Sequence, residues 1–410
     1  MDFPSLSQMV AGNAALRRRQ VLQPVGGRGD KIFPPTYPGE GRNAPPRHVH
    51  EVRRIDGKDV DCVLVDSVQS QANRLEEALL DAVRDGVRIP HLLVDFSGEG
   101  LAGLTQITSL DAPHRVYDAI LRDSLLEGQP FMKSPLGEAL AKAKIGDATA
   151  VLEASPTALL FGAWHSTGDG GGIGAKFARC LVSEISAIGV SVEEFVADKR
   201  TGELEVRTAG RRTGSRIDPL GVLRKVEVFK GAAGWDTDKS RAGKGAKQVR
   251  PSEINHGNIA PSVMPLGITC DYAEHMMVLS FAALRRLRFG SPTRDAAGRG
   301  LLAALGLLAV AEQDVQGYAL RSRCDLVCDG RAPLQLVKPD GAVADIALDR
   351  AGARALFAQA LVAATQAGFT FPAGPIRLTP QPKLVEIVRR SQELALAGEG
   401  GEEGDENGDA

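Results

Sequence analysis

An α+β fold is predicted here, and three observations predict it. Short apolar runs of strand character alternate with segments of helical period. The strands are few for the length of the chain, and long Gly-, Pro- and charge-rich stretches separate them. A regular doubly wound sheet would require tighter and more even alternation, so a core with large inserted excursions fits better. No repeat of fixed period is present. The chain has 410 residues, 43% of them hydrophobic and 24% charged, which is ample for a buried core. Aromatic residues are only 5%, so any base-stacking platform has to be small.

Taken in order, residues 1–60 read as an irregular segment packing on the core. "IFPPTYPGEGRNAPPRHVHE" is dense in Pro and Gly and suits an extended surface crossing. "MDFPSLSQMV" lacks a basic stretch followed by an apolar one, so secretion is not expected and a cytoplasmic location is. Asp61 to Asp66 is the first strand. Gln69 to Arg84 is a helix, with Ala72, Leu75, Leu79 and Val83 forming its core-facing stripe and Gly86 ending it. "HLLVDF" is a buried strand; Pro113 to Leu126 and Leu136 to Ile145 read as helices. "TALLFGAWHS" reads as a strand, "TGDGGGIG" as a glycine-rich loop, and "AKFARCLVSEISAIG" as an amphipathic helix.

The region 200–260 reads as a basic insertion with one hairpin. His275 to Phe289 is a strand leading into a short helix. Gly298 to Gln313 is a helix, and its "GLLAALGLLAVA" is too short for a membrane span and reads as buried. Gly317 to Val327 and Ile376 to Leu378 are strands; Ala351 to Ala367 and Pro382 to Ala397 are helices. The core thus covers 61–397, followed by an acidic, Gly-rich tail, 398–410, expected to be disordered.

The net charge of −2 hides an asymmetry: the tail carries six carboxylates and no base, which leaves a body of +4. Between Arg200 and Arg250 thirteen Lys and Arg face six Asp and Glu. Such clustering suits a polyanion partner, and it equally suits a solvated surface insertion. The five cysteines, Cys62, Cys180, Cys270, Cys324 and Cys328, are scattered, form no four-ligand metal set and read as reduced core thiols.

Chemistry concentrates in a few places. "DSVQSQANRLEEALL" runs from a strand into a helix through Ser67, Gln69, Ser70, Gln71, Asn73 and Arg74. The first turn of a helix exposes unpaired N–H groups at the positive dipole end, where phosphate binds well. These side chains would add donors to such a cradle, although an N-cap at Asp66 or Ser67 explains one of them by itself. Gly170, Gly172 and Ala175 match G-x-G-x-x-A, with Glu193 and Glu194 about twenty residues on, as in a dinucleotide fold. The long "WHSTGD" approach argues against that tight turn. His165, Lys176 and Arg179 could instead contact a sugar–phosphate backbone, the last two from successive turns of the following helix.

No P-loop and no G-x-S-x-G is present. His48 and His50 have no third ligand at useful spacing. Asn255 and His256 in "EINHGN" could include a general base or simply form a polar loop. Arg321 and Arg323 lie two apart on a strand, hence on one face, a placement that suits phosphates or a partner's carboxylates.

"LVDSVQSQANRLEEALL", "APHRVYDAILRDS", "SPTALLFGAWHSTG", "GAKFAR", "PSEINHGNI" and "DYAEHMMVLSFAALRRLRF" together resemble the backbone subunit of the type I-G (formerly I-U) CRISPR Cascade complex, in the seventh Cas family of the RAMP superfamily. The resemblance runs from about Ile32 to Leu396. It implies a modified RNA-recognition-motif (ferredoxin-like) palm with finger and thumb-like insertions. Copies of the chain would stack along a CRISPR guide RNA and present it to target DNA, beside a large subunit and a guide-end-capping and processing subunit, with no membrane.

Under that resemblance Ser67, Gln69, Ser70, Gln71, Asn73, Arg74, His165, Lys176, Arg179, Asn255, His256, Arg321 and Arg323 become guide contacts. Lys239, Arg241, Lys244, Lys247 and Arg250 become guide or target contacts. Sequence would be read by base pairing and the backbone by protein. The expectation is a non-catalytic scaffold with no cofactor and no metal, with Asp236 and Asp238 as the carboxylates to test. A dinucleotide-dependent enzyme built on the Gly170 loop is the alternative.

Overall fold

The longest apolar run in the chain forms a helix that is buried almost all round. In the computed structural model, which describes residues 1–39, 46–165, 175–190, 194–197, 204–207, 211–213, 226–254, 262–264 and 266–397, it spans Pro292–Gln316. Ser291 caps it by accepting the Arg294 N–H, with Pro292 in its first turn. Every residue from Gly300 to Gln313 is buried, as a helix without a polar face requires.

The chain divides into two units. The first comprises Met1–Arg28, Leu64–Ala187 and Tyr272–Ala410. Its labelled elements are α1 (Phe3–Gly12), β1 (Ala15–Pro24), the end of β2 (Lys58–Asp66), α2 (Val68–Arg84), β3 (Ala163–Trp164), β4 (Lys176–Phe177), β5 (Leu181–Ile188), β6 (Tyr272–Ser280), α3 (Phe281–Arg286), α4 (Pro292–Gln316), β7 (Tyr318–Arg321), β8 (Cys324–Cys328) and α5 (Arg350–Gln366). The main sheet runs β7-β8-β1-β6-β5-β2. β1 and β6 are antiparallel, from Ala15 opposite Ser280 to Leu22 opposite Ala273. Both alternate between buried and partly exposed positions, the mark of a sheet with one covered face. α4 packs against α1, α2 and α5. A side chain at Gly300 would come within 2.7 Å of the Phe3 ring, so glycine there lets α1 seat closely on α4. A second sheet orders Gln106–Thr108, Leu92–Asp95, Ile376–Pro380, Ser124–Leu126 and Gln129–Pro130, with Ile376 parallel to Leu92.

The second unit comprises Gly29–Val63 and Ile188–Asp271. Ile32 and Ile268 exchange both backbone hydrogen bonds. Buried His48 donates from Nδ1 to the Pro35 carbonyl (3.0 Å) and accepts the Gly267 N–H at Nε2 (2.9 Å), so the "HVH" histidine is a neutral stitch. Val228–Gly231 pairs with both Gly234–Asp236 and Lys247–Val249.

The architecture is mixed α and β, and several local readings change. Residues 1–60 are not irregular throughout: they supply α1, the central strand β1 and the strand His50–Ile55. "TALLF" is helical over Thr157–Leu160 before β3, since an apolar run of that length suits a buried helix as well as a strand. "LVSEISAI" is strand β5, not helix; its first positions alternate in burial, and Val182, Ile185 and Ile188 favour extended backbone. Pro113 to Leu126 breaks into a 3-10 turn, the short helix Ala119–Arg122 and the strand Ser124–Leu126. Gly317 to Val327 is a hairpin rather than one strand, and Arg323 sits in its turn at φ 59°. The basic insertion holds more than one strand pair among its described residues. The acidic tail lies outside the described residues.

Candidate nucleic-acid interface

The polar start of α2 divides into two faces. Ser67 is the N-cap, accepting the Ser70 N–H at 3.2 Å. Asp66, at the end of β2, has no exposed surface. Its carboxylate accepts from Ser70 Oγ (2.7 Å), Gln71 Nε2 (2.7 Å) and Arg74 Nε (2.9 Å), with Arg321 at 3.8 Å. Arg74 also donates to the Leu320 carbonyl at 2.7 Å. A buried carboxylate demands this many donors, which accounts for Ser70, Gln71 and Arg74 without a ligand.

The inward network continues. Ser183 Oγ donates to Gln71 Oε1 at 3.1 Å and lies 2.6 Å from His275 Nε2; His275 Nδ1 lies 3.0 Å from the Tyr318 hydroxyl. With the Ser183 proton committed to Gln71, His275 donates from Nε2 and accepts the Tyr318 proton at Nδ1. Burial, reinforced by the Arg18 charge, holds the His275 pKa down at about 3, so the ring is neutral. Gln71 is fully buried, and its amide serves this network.

Gln69 and Asn73, one turn apart, are exposed on the other face. They border a cleft of about 840 Å³ within the first unit. Its remaining polar lining is His114, Arg115, Trp164, Lys176, Arg179 and Arg286, and among the described residues no carboxylate lines it. Lys176 is the cross-strand partner of Trp164 in the β3–β4 ribbon, with its Nζ 5.1 Å from the indole centroid. Arg179 precedes β5, where Cys180 N–H binds the Leu160 carbonyl and Cys180 carbonyl binds Ser280 N–H. Gly162, at φ 84°, leaves room for it: a Cβ there would sit 3.0 Å from Arg179 Cγ. Arg286 closes α3. Among the described residues no carboxylate pairs with Lys176, Arg179 or Arg286. Burial, then the nearby Arg115 charge, lowers the Arg179 pKa, as expected of clustered cations.

Arg115 is different. Its guanidinium is buried and holds Glu76 through Nε and Nη2, both at 2.7 Å, and donates to the Gly162 carbonyl at 2.9 Å. Its backbone lies at φ 55°, an uncommon conformation for arginine. Burial pushes the Glu76 pKa up to about 7 against the opposing Arg115 charge. Of this pair Arg115 lines the cleft and Glu76 does not. His165, beside β3, is buried and stacked on Tyr117 at 5.3 Å between centroids; burial, then Arg122, lowers its pKa.

The cleft therefore unites Gln69, Asn73, Lys176 and Arg179 from the residues singled out in the sequence. Lys176 and Arg179 come from a strand and a loop, not from successive turns of a helix. That also removes the helix N-terminus on which a dinucleotide pyrophosphate would rest after Gly170 and Gly172; those two glycines lie outside the described residues. Arg321 and Arg323 occupy the end and the turn of the β7–β8 hairpin, so they are not two positions of one strand face. Asn255 and His256 lie outside the described residues. Lys239, Arg241, Lys244, Lys247 and Arg250 are exposed in the second unit, with Arg241 3.9 Å from Asp238.

Sequence reasoning passed over Trp164, Arg115 and Arg286. One signal was available: Trp164 is one of only two tryptophans, placed beside a glycine-rich stretch.

Residues 16–192 match the family model described as CRISPR-associated protein GSU0053, fewer than half of the chain's 410 residues. A CRISPR-associated protein family is thus indicated, and every residue lining the cleft except Arg286 falls in the matched span. No curated protein matches the chain.

Proposed function

We propose that this chain is a CRISPR RNA-binding backbone subunit of a Cascade-type complex of type I-G, and that the cleft bordered by Gln69, Asn73, Lys176, Arg179 and Arg286 holds the guide strand. The observation that carries this reading is the lining: among the described residues, several cations, two amides and no carboxylate, within a span similar to a CRISPR-associated family. Clustered cations without counter-charges are costly to assemble unless an anion completes them. Neutral amides beside them suit 2′-hydroxyls and phosphates of any sequence.

In this reading the first unit is a modified RNA-recognition-motif palm and the second unit carries finger and thumb-like insertions. Copies of the chain assemble along one guide in the cytoplasm, beside the other Cascade subunits, and target DNA pairs with the guide bases they leave open. The subunit holds RNA and does not cut it. Asp236 and Asp238 accept backbone N–H groups of their own turn, at 2.8 Å from Asp238 and from Ser240, and are assigned no part in cleavage.

The test is co-expression with a cognate CRISPR transcript. Co-purifying RNA and filaments in electron micrographs are expected. A protein that stays free of nucleic acid and monomeric at low salt overturns the reading. Metal-dependent cleavage of guide or target, lost in Asp236→Ala, overturns the non-catalytic part alone.

A further inference from the structure

Both tryptophans of the chain stand on the surface, and each has a lysine as its cross-strand partner. Trp164 is 59% exposed opposite Lys176, and Trp235 is 51% exposed opposite Lys230 in the second unit. Tryptophan is the side chain with most to gain from burial, so its placement in solvent at the lip of a cation-lined cleft calls for a ligand with an apolar face. Lys176 screens one side of the Trp164 indole, and an exposure of 59% leaves the rest of the ring accessible.

We infer that Trp164 is a base-stacking platform, so that the cleft takes single-stranded RNA with one unpaired base laid on the indole and its flanking phosphates against Arg179 and Arg286. This rests on the reading of the cleft as an RNA site and adds to it the state of the strand. Only an unpaired base has a face to offer, because a base inside a duplex is already covered above and below. Every base has such a face, so a single tryptophan binds without choosing letters. Lys176, on the opposite side of the ring, favours an electron-rich indole and a nearby phosphate alike. The low aromatic content of the chain is compatible with this, since one ring per cleft is enough.

The two tryptophans make the experiment direct. In the Trp235→Phe protein all indole emission comes from Trp164. That emission is followed while a short single-stranded RNA, an abasic ribose-phosphate strand of equal length and the matching RNA duplex are added. Labelled strands report binding independently by anisotropy. Strong quenching by the base-bearing strand is expected. The abasic strand should bind, more weakly, with little quenching, and the duplex should behave like the abasic strand. Trp164→Ala in the natural background should weaken the base-bearing strand by roughly five- to hundredfold and leave abasic binding unchanged. Binding without quenching, or equal quenching by all three, overturns the stacking platform and leaves the RNA reading standing. Absence of binding by any strand at low salt overturns both. The abasic comparison uses a protein with Trp164 in place, so a folding defect in Trp164→Ala does not decide the outcome.

Discussion

The cleft beneath Trp164 and a groove of about 580 Å³ between α4 and the strand Leu334–Val337 belong to the same unit, yet their charges are arranged in opposite ways. The groove is lined by Leu307, Val310, Leu334 and Leu348, and its two arginines face three aspartates. Arg18 grips Asp314 through both terminal nitrogens, at 2.5 and 2.7 Å, and Arg331 reaches the same carboxylate at 3.2 Å. Asp349 is the N-cap of α5. Both arginines, Asp314 and Asp349 thus already have work inside the fold. In the cleft, among the described residues, only Arg115 is so engaged, with Glu76, while Lys176, Arg179 and Arg286 line it without a counter-charge. Volume therefore says little about function here. What distinguishes the two is whether the fold has neutralised its own cations.

The sharpest way to break the comparison is to remove the one cleft arginine that is internally paired. Arg115→Ala strands Glu76 in the interior, and loss of about 3–5 kcal/mol of unfolding free energy is expected by denaturant titration. Glu76→Gln probes the same buried pair through pH. The Glu76 carboxyl has a higher pKa in the fold than in the unfolded chain, raised to about 7 chiefly by burial. Its contribution to stability is thus complete below the ordinary carboxylate range and is lost as the pH rises through about 7. Thermal unfolding of the natural protein should fall across that window, and the glutamine variant should be flatter. Parallel pH profiles would show that Glu76 keeps one protonation state throughout.

Next in size is the effect of reversing the unpaired cations. Arg179→Glu with Arg286→Glu should weaken single-stranded RNA binding by roughly a hundredfold or more, since each charged hydrogen bond to phosphate contributes about 1.5–3 kcal/mol. Arg331→Glu in the groove should leave binding unaltered. Equal losses at both places would mean that general charge, not the cleft, attracts RNA. Replacing Lys176, Arg179 and Arg286 by Gln should also flatten the dependence of log affinity on log salt by about 2, at roughly 0.7 per neutralised phosphate on a single strand.

The strands and helices that bury one face were legible, because their apolar spacing states which face goes inward; α2, α5 and the strand-to-helix passage of β6 into α3 follow that rule, and α4 was legible as an unbroken apolar run. The errors fall where the local pattern is ambiguous. "LVSEISAI" mixes alternation with a helix-compatible spacing and is decided by its place beside β6 and β2 in the sheet. β1 carries "RRRQ" and fell within the stretch read as irregular, yet Arg18 and Gln20 are buried because Asp314 and the carbonyls of Val21 and Gly330 receive them. Asp314 and Gly330 lie some three hundred residues away and leave no trace nearby. The cleft was half legible for a related reason. Residue type pointed to Gln69, Asn73, Lys176 and Arg179, but the donors turned toward Asp66 are of the same types, and only the fold separates the two sets.

That separation gives the smallest effects and the finest test. Ser70→Ala removes a donor to the buried Asp66 and should cost about 1–2 kcal/mol of stability without changing RNA affinity in the variant that remains folded. Asn73→Ala changes an exposed position and should leave stability within about 0.5 kcal/mol while lowering RNA affinity a few-fold. Gln69→Ala should behave like Asn73→Ala, and the two together should add, because one turn of helix sets each against a different stretch of strand. The helix would then carry two independent polar faces only one residue out of phase, one that completes the core and one that meets the ligand. If Ser70→Ala were to weaken RNA binding at full stability, the Asp66 network would have to open toward the strand when RNA arrives, and the division between the two faces would hold only for the protein without RNA.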